Sequence, residues 1–152
     1  MRGEPVTISG ADLDWVNENL PAFGNLLKVP RFRLAVECFT THAHEASLRM
    51  TTASLWTGVE ALFGINAEVR FRSAALVGAF LETRGRERVA RYRAVKALYD
   101  LRSKAVHGGT LEDQALEQHI RDVRGVLSSL LRKIIESKHL PTDDEWDDVL
   151  LG

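Results

Sequence analysis

Arg91-Tyr-Arg-Ala-Val-Lys-Ala-Leu-Tyr-Asp-Leu-Arg-Ser-Lys-Ala-Val-His-Gly-Gly109 is the stretch from which the rest of the chain can be read. Ala94, Leu98, Leu101 and Ala105 recur every three to four residues, the spacing of one apolar helix face. Gly108 and Gly109 then stop the helix, because glycine accepts the left-handed backbone that closes a helix end. His107 therefore falls at or just past the last turn, near the negative end of the helix dipole. Arg102 precedes it by five residues. On an unbroken helix their side chains point about 140° apart. They converge only if the helix frays before His107, or if a second copy of the chain brings its own pair alongside.

Working outward, the same periodicity predicts helices elsewhere. Ser9 with Asp12 forms a capping-box pattern, and a helix follows through Leu13, Val16 and Leu20 until Pro21 ends or kinks it. Pro30 opens a second helix through Phe32, Val36 and Phe39, to about Ala43. Ser47 to Phe63 is the most apolar helix and belongs at the centre, with Leu55, Trp56, Val59, Leu62 and Phe63 covering much of its circumference. Glu60 sits among them and needs either a cationic partner or a place on the solvated rim. Val69 to about Glu82 is a fourth helix, ahead of the one already described. Leu111 to about Lys138 is a long sixth helix with a stripe from Leu116 to Ile135. Thr142 and Glu145 cap a short last helix through Trp146. No strand alternation or Asn-Gly hairpin signal occurs. The fold class is all-α, a helical bundle of about five to seven helices.

The 152 residues fit one domain, with 45% apolar residues and a net charge of −1, so global charge announces neither nucleic acid nor membrane. Locally the charge is uneven. Bases crowd Arg70 to Lys104, while Asp143, Asp144, Glu145, Asp147 and Asp148 make the end acidic. Such an asymmetry suits an anionic ligand or is simply a solvated face. The lone Cys38, in an apolar stretch, reads as a small buried hydrophobe. With no apolar signal region and no run long enough to cross a bilayer, a cytoplasmic location without membrane association is expected.

Several chemistries find no motif. There is no Gly-x4-Gly-Lys-Ser/Thr phosphate loop, no zinc-ligand spacing and no Gly-x-Ser-x-Gly elbow. His42 and His44, two apart, face different ways and cannot share a metal. Arg102 and His107 remain, and together they suffice to cut RNA without metal. Histidine can take the 2′-hydroxyl proton or return one to the leaving 5′-oxygen. Arginine, always charged, can grip the phosphate as negative charge develops. The alternative is a helix-end histidine bonded to a carbonyl.

The segment Leu98-Tyr-Asp-Leu-Arg-Ser-Lys-Ala-Val-His-Gly108 resembles the signature of HEPN domains, in particular the Apea-like HEPN group. Leu55-Trp-Thr-Gly-Val-Glu-Ala-Leu-Phe-Gly64 is similar to that group's helix with a glutamate between a tryptophan and a Leu-Phe pair, and Phe71-Arg-Ser-Ala-Ala75 fits the helix between them. The resemblance covers roughly residues 31–138, leaving 139–152 as an acidic C-terminal helix. It implies a homodimer with both Arg-x4-His motifs lining a shared cleft. It also implies metal-independent RNase activity, often in toxin–antitoxin or phage-defence systems. The catalytic pair falls on Arg102 and His107, with Ser103, Glu60, Lys104 and Tyr99 supporting. No cofactor is implied. Expected partners are RNA as substrate and an antitoxin or nucleotidyltransferase. Some HEPN domains instead serve as non-catalytic modules that bind nucleotide, RNA or a partner protein.

Overall fold

Local capping chemistry sets several of the helix ends. The computed structural model describes residues 7–152 and folds them into seven α-helices, with no strand among the described residues. They are α1 Gly10–Leu26, α2 Pro30–Thr41, α3 Leu48–Phe63, α4 Val69–Leu81, α5 Arg86–Val106, α6 Asp113–Ser137 and α7 Asp143–Leu151, with a 3₁₀ turn His42–His44 after α2. Ser9 with Asp12 and Thr142 with Glu145 form the two capping boxes that open α1 and α7. Ser47 caps α3, and Gly64 closes it in the left-handed conformation.

α3 is the axis of the bundle. Thr52, Leu55, Trp56, Val59, Leu62 and Phe63 are all buried, and α2, α4, α5 and α6 pack around it. Gly58 lets α2 and α6 come close. A Cβ there would stand 2.9 Å from Leu127 Cδ2 and 3.1 Å from Cys38 Cβ. The α6 stripe is as predicted except at one turn: Leu116, Val123, Val126, Leu127, Leu130, Leu131, Ile134 and Ile135 are buried, while Ile120 is half-buried and His119 is buried beside it. Cys38 is buried too, and burial raises its thiol pKa.

Three other expectations are corrected in whole or in part. Of the two outcomes expected at Pro21, ending α1 is ruled out, since the helix continues to Leu26. The proline is exposed, so the carbonyl it leaves without a partner faces water. Leu13, Val16 and Leu20 are not the inward face either. They are exposed, and Asn19 and Leu26 are buried instead. On α5 the apolar spacing is right only in part: Ala105 is buried and Leu98 packs against the core as expected, but the rest of the face differs. Ala94 is exposed and Leu98 and Leu101 are only half-buried, while Val95 and Ala105 are buried with Tyr92, Tyr99 and Arg102 half-buried. Tyrosine and arginine can cover apolar surface with their bodies while their tips stay polar, which apolar counting does not register. No helix of the described residues is long and apolar enough to cross a membrane.

Candidate functional site

α5 stays helical through Val106, so it does not fray before His107. His107 is the C-cap, with φ −91° and ψ 19° and its N–H donating to the Ser103 carbonyl at 3.1 Å. Gly108 then turns left-handed at φ 79°, and the Gly109 N–H donates back to Lys104 O at 2.8 Å. This is a Schellman closure, and it leaves His107 on an exposed turn.

A second device, unseen in the sequence, fixes that turn. Arg49 reaches across from the first turn of α3. Its Nη1 donates to Ala105 O at 2.5 Å and its Nη2 to Gly109 O at 2.9 Å. Those carbonyls bracket His107 and stand at a helix C-terminus, where a cation is favoured.

Arg102 lies on another side of α5, facing α3. Its Nη2 stands 3.6 Å from Glu60 Oε1, with the two side chains 21% and 23% exposed. That is an ion pair without a hydrogen bond. Arg102 Nε and Glu60 Oε1 are both buried without hydrogen-bond partners. Burial raises the Glu60 pKa, and the nearby Arg102 charge only partly offsets it. Glu60 is therefore a half-buried carboxylate that is not locked to its cation by a hydrogen bond. Arg102 also covers Tyr99, its Cζ 5.2 Å from the ring centroid, and burial raises the phenol pKa.

Tyr99 meets Trp56 edge-on at 5.2 Å, and Trp56 Nε1 donates to His119 Nε2 at 3.1 Å. That bond makes Nε2 the acceptor, so neutral His119 carries its proton on Nδ1, which is buried without a partner. Burial lowers the His119 pKa and favours this neutral form. The α6 stripe held the signal for His119, three residues after Leu116 and four before Val123. Of the sequence-predicted residues, Glu60, Tyr99 and Arg102 thus meet in one layer. Ser103 is half-buried, and Lys104 and His107 are exposed. The structure shows no contact between Arg102 and His107 within one chain.

Part of the basic stretch is paired: Arg70 with Asp100, Arg91 with Glu82, Arg102 with Glu60 and Arg72 with Asp147, while Arg31, outside the stretch, pairs with Asp143. Among the described residues, Arg72 with Asp147 is the one ion pair that joins the basic middle to the acidic end, and Arg93, Lys96 and Lys104 are in none. Among the described residues no group of three or more histidine, cysteine or acidic side chains could hold a metal ion. Comparisons with protein-family models, curated proteins and solved structures return no match for this chain.

Proposed function

We propose that this chain is a HEPN-type, metal-independent endoribonuclease that works as a homodimer in the cytoplasm, in a toxin or phage-defence setting. The observation that carries the reading is the split of the pair. α5 runs unbroken to the turn, so Arg102 faces α3 while His107 faces solvent. One chain holds the two parts of an RNA-cutting kit on different sides of one helix end. A two-fold arrangement supplies both to one cleft. His107 then takes the 2′-hydroxyl proton, the 2′-oxygen attacks phosphorus, and the bond to the 5′-oxygen breaks as the imidazolium so formed passes that proton to the leaving oxygen. Arg102 steadies the charge on the phosphate oxygens. Glu60, close but not hydrogen-bonded, lets the guanidinium turn to an incoming anion. Tyr99 and Ser103 line the approach, and Lys104 adds charge at the rim.

A pair that served only as a helix cap would be bonded to its own backbone. Arg102 makes no such bond, and the bonds to the closing carbonyls come from Arg49 and Gly109 instead. This favours the catalytic reading over a scaffold. The partner is an antitoxin or nucleotidyltransferase that covers the cleft.

The test is cleavage of single-stranded RNA in EDTA. Products should end in a 2′,3′-cyclic phosphate and DNA should survive. His107→Ala and Arg102→Ala should each lower the rate by about 10²–10⁴-fold while remaining folded. Equal cleavage by wild type and His107→Ala would place the activity elsewhere.

A further inference from the structure

Phe71 is an exposed aromatic that the packing does not explain. It stands on α4, 53% exposed, with its ring edge-on to Tyr92 of α5 at 6.1 Å. One turn further along α5, Lys96 places Nζ 5.6 Å from the Tyr92 ring centroid. One turn back, Val89 is exposed as well. The rim of this patch is basic. Arg93 and Lys104 are exposed, Lys96 is half-buried, and none of the three is in an ion pair among the described residues. Two acids near the patch are engaged, Asp100 accepting with both oxygens from Arg70 and Glu82 accepting from Arg91, while Glu68 and Glu87 stand exposed at its edges.

Helix register ties this patch to the candidate site. At 3.6 residues per turn, Tyr92, Lys96, Ser103 and the His107 position fall within about 60° of one another around α5. The rise between Tyr92 and His107 is about 22 Å. An exposed ring flanked by cations, on the same side of the helix as His107, matches what an unpaired strand offers: a base face to stack and a phosphate to neutralise.

We propose that Phe71, Tyr92 and Lys96 form a stacking platform for single-stranded RNA that leads the strand along α5 to His107. The assignment rests on the ribonuclease reading for its direction, but the platform itself is a binding surface. A base stacks on Phe71, and the backbone passes over Lys96, Arg93 and Lys104. Strands too short to reach both ends bind weakly.

Binding is measured by fluorescence anisotropy with a labelled single-stranded RNA on the full chain carrying His107→Ala, so that cleavage does not intrude. Adding Phe71→Ala should weaken binding by about 5- to 100-fold, the usual worth of one stacked base. Phe71→Trp should restore it. Lys96→Ala should weaken binding and flatten its salt dependence by about one phosphate contact. Phe71 is exposed, so its thermal midpoint check should show a folded protein. Equal affinity with and without Phe71, no binding of single-stranded RNA, or tighter binding of duplex RNA or heparin irrespective of Phe71 would each overturn the platform. Cleavage by the chain with His107 intact separates the two ideas. Phe71-dependent binding with no cleavage leaves the platform standing and sinks the ribonuclease reading. Cleavage that ignores Phe71 does the reverse.

Discussion

Two tryptophan layers cross this bundle, and they are finished differently. Around Trp146, the indole of α7 lies between Phe63 and Phe80, edge-on at 4.8 and 5.1 Å, and its Nε1 donates to Leu62 O at 3.0 Å. That tryptophan is 1% exposed and fully satisfied. Trp56 is equally buried, yet its layer ends in loose polar atoms. Among the described residues five buried side-chain atoms lack a hydrogen-bond partner: Glu60 Oε1, Arg102 Nε and His119 Nδ1 belong to this layer, while Arg72 Nε lies on the Trp146 side. Such an atom costs about 1–3 kcal/mol, so the Trp56 layer carries the larger share. The second layer lies under the end of α5 that carries the proposed chemistry, where a departure from local optimum is expected.

The largest way to sharpen the contrast is Trp146→Ala. It should lose about 3–5 kcal/mol, the usual cost of deleting a buried aromatic. Urea unfolding would show this as a lower midpoint at unchanged slope, with α7 released from Phe63 and Phe80. A change near zero would mean that α7 is a loose appendage.

Arg49→Ala comes next. Two charge-assisted bonds to Ala105 and Gly109 carbonyls are lost, at about 1.5–3 kcal/mol. Hydrogen exchange should quicken at residues 107–109, while the Trp146 layer keeps its protection. Unchanged exchange at that turn would show that the Schellman closure holds His107 unaided.

The smallest effects are in pH, and the two buried groups of the Trp56 layer pull in opposite directions. His119 has a folded pKa below 6.5, so the unfolded chain binds more protons there. Stability is therefore greatest above that value and falls as pH drops through it toward the folded pKa. Glu60 has a folded pKa above 4.5, so the folded chain binds more protons, and stability falls as pH rises from 4.5 through the raised value. His119→Gln should remove the first slope and Glu60→Gln the second. Because no hydrogen bond joins Glu60 to Arg102, Glu60→Gln should change neutral-pH stability by less than about 1 kcal/mol. Thermal midpoints across pH 4 to 8 that are the same in all three proteins would contradict both assignments.

What the sequence made legible follows physical scale. Ends set by a local rule were read closely: the capping boxes at Ser9 and Thr142, Pro30 opening α2, and Gly64 and Gly108 closing α3 and α5. The inward face of α6 was plain because large aliphatic residues carry it. α5 was read only in part, with Ala105 and Leu98 facing inward as expected, because an alanine such as Ala94 tolerates either face and the helix also makes contacts through Tyr92, Tyr99 and Arg102. The end of α1 was misread because Pro21 lies on the exposed face, where water can take the carbonyl it orphans, and the helix continues past it to bury Leu26. Arg49 escaped notice since its partners are backbone carbonyls, which leave no mark in side-chain identity. The closeness of Glu60 to Arg102 depends on α3 and α5 packing side by side, so residue types alone left it open between a partner and the rim.

The proposed ribonuclease has Arg102 and His107 act across a dimer. Subunit complementation tests it most directly. Arg102→Ala and His107→Ala chains, each inactive alone, are mixed, unfolded and refolded together, and RNA cleavage is followed in EDTA. Random pairing puts half of the dimers in the mixed form, each with one intact cross-chain pair, so about a quarter of the wild-type rate should return. No recovery, in mixed dimers verified by light scattering at twice the 17.0 kDa chain mass, would contradict the shared cleft.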